Sequence, residues 1–176
     1  MNLFRFRSAL LLAALFVVAA CNNDDDLPDE PVINSVDYLE AEKDLVINFT
    51  DGDGNFGLPA DLIDPPFQAW EDSADGIINK NHNNLWLDVY VKESGTFQLL
   101  ETPNPYGFDF RIPFLTPAGQ NKQLKVTATY NLIDLADVAE VGVLEYGDTL
   151  KFNVTIIDRD LNISSTVVSE GHILGE

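Results

Sequence analysis

Two short stretches carry most of the chemistry this sequence can offer. Asp51-Gly52-Asp53-Gly54-Asn55 sets side-chain oxygens at alternate positions with glycines between them, so a tight turn can aim several hard ligands at one centre. Asp158-Arg159-Asp160-Leu161-Asn162 repeats that spacing near the other end of the chain. Such donors suit calcium, which takes about six to eight oxygens. The first stretch opens like a twelve-residue calcium loop, but Phe56 stands sixth where Gly is needed and Leu62 stands twelfth where Glu is needed. A calcium site must therefore recruit ligands from elsewhere, and the second stretch is the natural source. The candidate metal ligands are Asp51, Asp53, Asn55, Asp158, Asp160 and Asn162. Asp, Asn and Gly are also what ordinary turns prefer, so one cluster alone reads as a turn. Two clusters that converge imply an ion.

Other chemistry has little to work with. His82 and His172 are the only histidines, and no Gly-x-Ser-x-Gly elbow, phosphate loop or dinucleotide fingerprint is present. Paired carboxylates can hydrolyse glycosides, but with 29 acidic residues any pair is uninformative. The expectation is a protein without catalytic residues. All 29 acids follow Cys21 against eight basic residues, a net charge of −21 for that part of the chain, which repels nucleic acid and anionic lipid alike. Trp86 and Tyr90 fall on the outward face of an expected strand. With Phe67 and Trp70 they offer flat aromatic surface for a sugar or a protein, so Trp70, Trp86 and Tyr90 are the candidate ligand-binding residues. The alternative is that the connection over 58–83 folds back and covers them.

The elements that must position these residues are strands. Period-two alternation groups Leu45, Ile47 and Phe49, then Leu85, Leu87, Val89 and Val91, then Phe108, Phe110, Ile112 and Phe114. It continues with Leu124, Val126, Ala128 and Tyr130, and with Phe152, Val154 and Ile156. Strands over 32–39, 96–100 and 163–169 bring the total to about eight, which predicts an all-β, immunoglobulin-like antiparallel β-sandwich over residues 32–176. In immunoglobulin order, the turn after the second strand and the turn before the last lie at the same end, so the two acidic stretches become neighbours. Residues 58–83 form a long irregular connection, and 131–147 a crossover with Leu132, Leu135, Ala136 and Ala139 on one helical face.

The N-terminus gives an address. Residues 1–20 place Arg5 and Arg7 before a twelve-residue apolar stretch, Ala9–Ala20, which is short for the roughly 20 residues of a spanning helix and has the layout of a secretory signal. Val18-Ala19-Ala20-Cys21 resembles the lipobox of bacterial lipoproteins. That resemblance implies cleavage before Cys21, acylation of its thiol and a membrane held only through that lipid. Residues 21–31 then form an acidic tether, Asn22-Asn23-Asp24-Asp25-Asp26-Leu27-Pro28-Asp29-Glu30-Pro31, similar to the signal that sends Bacteroidetes lipoproteins to the outer face of the outer membrane. With Phe49 to Asn55 and Thr155 to Asn162, the chain resembles uncharacterised Bacteroidetes surface lipoproteins with an immunoglobulin-like or fibronectin type III-like domain. Asp158-Arg159-Asp160 also resembles the calcium-binding tripeptides of cadherins. The resemblance implies a lipid-anchored surface binding module, with a glycan or a surface protein as partner. An accessory lipoprotein of an outer-membrane glycan uptake system is the alternative, and a hydrolase built on paired carboxylates is the other.

Overall fold

A computed structural model describes residues 27–102, 104–116, 122–132 and 144–174. The signal stretch, Cys21, Asp24 to Asp26 and most of the 131–147 crossover lie outside these residues. Among the described residues ten strands follow one another: β1 (Val32–Leu39), β2 (Asp44–Asp51), β3 (Trp70–Asp72), β4 (Ile77–Ile78), β5 (Leu85–Glu93), β6 (Thr96–Leu99), β7 (Leu124–Asn131), β8 (Thr149–Ile156), β9 (Val167–Val168) and β10 (His172–Ile173). All pairings are antiparallel. Among the described residues there is no α-helix, only a 3₁₀ turn at Lys80–His82.

β1, β2 and β7 make one sheet; β10, β8, β5 and β6 make a second, to which β9 adds on β8; β3 and β4 form a separate hairpin. Alternation decides which face goes inward. Leu45, Ile47 and Phe49 of β2, Leu85, Leu87, Val89 and Val91 of β5, and Leu150, Phe152, Val154 and Ile156 of β8 are all buried, and the two sheets supply one continuous core. In β1 a register shift between Ile33 and Ser35 moves the buried phase from Ile33 to Val36 and Tyr38, as a bulge does.

Two expected strands come out differently. Phe108 to Phe114 is not a regular strand: it makes a single bridge, Phe110 with Leu85, and Phe114 is exposed. Pro113 has no N–H to offer a ladder. The buried Asn84 amide takes a strand partner's place, accepting the Ile112 N–H at 2.6 Å and donating to the Ile112 carbonyl at 3.1 Å. The expected strand over 163–169 breaks into a bridge at Ile163 and the two residues of β9. Here serine hydroxyls act as ladder acceptors, Ser164 Oγ for the Ile156 N–H and Ser169 Oγ for the Phe152 N–H, both at 3.0 Å.

The connection over 58–83 is ordered by side chains from elsewhere. The Arg111 guanidinium donates to the carbonyls of His82 and Leu62, each at 2.5 Å, and of Pro59 at 3.0 Å, while the Tyr106 hydroxyl donates to the Ala69 carbonyl. Phe67, within this connection, is buried.

Half-buried Asp109 accepts the Leu87 N–H at 2.7 Å. Desolvation raises its carboxyl to about 6 and the Asp88 charge adds to this, against the Leu87 hydrogen bond and Lys80. The folded state thus holds the proton more tightly than the unfolded chain, so this group's contribution to stability falls as pH rises from about 4 through about 6. Asp109→Asn keeps the acceptor and removes the charge. Its stability relative to the parent should rise across that window by on the order of 1–3 kcal/mol, measured by urea unfolding at a series of pH values.

Candidate metal centre

Asp51 is buried for the same reason as Leu45, Ile47 and Phe49: it occupies the next inward position of β2. A carboxylate therefore sits where the strand pattern calls for an apolar side chain. The chain then turns through Gly54, whose φ of 72° favours glycine, and comes back into the core at Phe56. That residue is fully buried and packs on Phe49 with ring centroids 4.5 Å apart, so no ion loop continues past Asn55.

Asp158 follows the buried pair Ile156 and Ile157 and is itself 1% exposed. Its turn closes through Leu161 at φ 68°. Asn162 then donates its backbone N–H and its side-chain amide to the two oxygens of Asp158, both at 2.8 Å, so that carboxylate is held in one orientation.

The two turns meet. One oxygen from each of Asp51, Asp53 and Asp158 lies within 4.8 Å of the others. Asn55 ties the turns together: its side-chain amide donates to Asp53 at 2.8 Å and to Asp160 at 2.9 Å, and its carbonyl accepts the Arg159 Nε–H at 2.6 Å. Arg159 in turn lies over the Phe114 ring, 4.5 Å from its centroid.

Three buried oxygens in this cluster have no hydrogen-bond donor: both of Asp51 and Oδ1 of Asn55. Burial raises the Asp51 carboxyl to about 6, with the charges of Asp53 and Asp158 adding to the shift. The Phe56 and Gly54 N–H groups oppose it without reaching hydrogen-bonding geometry. Asp53 is raised as well, first by desolvation and then by the charges of Asp158, Asp29 and Asp160, against its bond from Asn55. A buried charge without a partner costs several kcal/mol, and a cation placed among these oxygens removes that cost. The cluster can hold a metal ion.

The six sequence candidates divide by what their atoms touch. Asp51, Asp53 and Asp158 offer the converging oxygens, whereas Asp160 orients the Asn55 amide and Asn162 orients Asp158. The residues before β1, which the sequence reads only as tether, also reach this site: Gly52 donates its N–H to the Pro28 carbonyl at 2.9 Å.

The aromatic candidates lie apart from the acids in the chain. Trp86 is half-buried; its indole N–H donates to the carbonyls of Lys80 and Asn83 at 3.1 and 3.2 Å, and the Lys80 ammonium lies 4.3 Å from the ring centroid. Tyr90 is half-buried on the same face of β5. Trp70, on the β3–β4 hairpin, is 40% exposed. His82 is held by the Phe67 carbonyl, and His172 packs edge-on to Tyr38. The chain matches no family model, no curated protein and no solved structure.

Proposed function

We propose that this protein is a non-enzymatic binding or interaction module, lipid-anchored through Cys21 outside the cytoplasm, whose immunoglobulin-like sandwich is stabilised by calcium at one end. The observation that carries the reading is the buried Asp51 carboxylate with neither oxygen bonded, facing Asp53 and Asp158. Calcium fits better than zinc, which favours nitrogen and sulfur ligands, or magnesium, which prefers to keep several waters in a strict octahedron. The acid-bearing turns after β2 and after β8 meet at one end of two antiparallel sheets, which supports the immunoglobulin-like order. The lipobox-like Val18 to Cys21 and the acidic run Asp24 to Asp26 support an anchor on the outer face of the outer membrane.

Cys21→Ser tests the anchor. The variant should lose fatty-acid labelling and leave the membrane fraction, or accumulate with its signal uncleaved, because the acyl chains are the only attachment in this reading. Unchanged labelling and fractionation overturn it. Exposed Trp70 favours a second reading, a glycan-binding accessory lipoprotein. In that case a glycan array probed with the protein should show binding that Trp70→Ala abolishes.

A further inference from the structure

The residues that lead from the anchor into β1 lie over the first turn of the acidic loop. Beyond the hydrogen bond from Gly52 to Pro28, a Cβ added at Gly52 would fall 2.3 Å from the Leu27 carbonyl oxygen and 2.4 Å from that of Pro28. Gly52 does not have a left-handed φ. Its backbone is open to any residue, and what demands glycine is the strap formed by residues 27–31. Pro31 is buried and fixes the far end of this strap.

The strap packs on Gly52, between two residues of the site, Asp51 and Asp53, whose carboxylates converge with that of Asp158. Negative groups crowded in this way repel one another even in bulk water. A cation that relieves this repulsion holds the loop on which the strap docks. We propose that the cation of this centre is a clasp: bound, it holds the N-terminal strap against the domain; removed, it lets the strap go.

The clasp rests on the metal reading above. Six peptide steps separate Cys21 from Leu27, at most roughly 20 Å of extended chain, so on a lipid-anchored chain the closed clasp turns the metal end of the domain toward the bilayer. Linkage is reciprocal: if calcium favours the docked strap, the docked strap raises calcium affinity by the same factor.

The test is calorimetric titration of calcium chloride into the chain from Cys21 onward, in detergent at physiological salt. It compares the parent, Gly52→Ala, a deletion of residues 22–30, and the two changes combined. Gly52→Ala and the deletion should each weaken calcium binding by about fivefold or more, and the combination should be no weaker than the deletion alone, because both act through the strap. Exchange of the Gly52 amide proton should be slower in calcium than in chelator. Equal affinity across the parent and both single variants overturns the clasp and leaves the metal centre standing. Additive losses place the Gly52 effect in the loop itself and also overturn the clasp. A parent that takes up no calcium overturns the metal reading and the clasp together.

Discussion

In chelator, Asp51→Asn should melt no lower than the parent, and millimolar calcium should raise the parent by a margin that the variant does not share. Raising the carboxyl from 3.8 to about 6 corresponds to on the order of 3 kcal/mol against folding at neutral pH when no cation is present. Asparagine removes that charge and can donate to Asp53 or Asp158. Calcium at about a hundred times its dissociation constant stabilises the parent by about 2.7 kcal/mol, roughly 5–10 °C in a domain of this size, and Asp51→Asn should lose most of that gain. Asp158→Asn, from the other turn, should lose it too. Thermal melts of the three proteins, the parent, Asp51→Asn and Asp158→Asn, with and without calcium decide the matter. A melting temperature indifferent to calcium rejects the site. A full calcium shift retained by Asp51→Asn rejects Asp51 as its centre.

The sign extends to pH. Without a cation, the raised Asp51 pKa makes this group's contribution to stability fall as pH climbs from about 4 through about 6, since the folded state holds the extra proton. With calcium bound, the ion takes the proton's place and that decline should disappear.

Asn84→Ala should strongly destabilise the core. Asn84 is fully buried; its side chain takes the Ile112 N–H and donates to the Ile112 carbonyl, and its own carbonyl accepts the Ile157 N–H at 3.1 Å. The Ile112 carbonyl keeps a second donor, Leu58 N–H at 3.0 Å, but the Ile112 N–H is left buried and unpaired. That orphan, with the cavity left by the amide, should cost about 2–4 kcal/mol. Urea unfolding should show a lower midpoint with an unchanged slope. No metal ligand is altered, so calcium should still raise the variant's melting temperature. A midpoint within error of the parent would mean that the 108–114 segment is held by something other than Asn84.

The sequence by itself determined the parts of this protein that depend on neighbours in the chain. Period-two alternation located β2, β5, β7 and β8, because a strand's inward face is set by local geometry whatever it packs against. Residue type alone marked both acidic turns as candidate oxygen donors. What the tertiary structure decided was which hydrogen bonds are already taken, and that depends on partners far away in sequence. The alternation of Phe108 to Phe114 is as good as that of β5, yet Asn84 satisfies Ile112 in place of a strand. Ser164 and Ser169 break up the last expected strand in the same way, with hydroxyls accepting where carbonyls would. Trp86 alternates outward but gives its indole N–H to its own chain. At the acidic end, six similar oxygen-bearing residues separate into those that orient others and those left facing one another. Only the meeting of the two turns leaves Asp51 buried with no donor, and a buried charge without a partner is what calls for a cation.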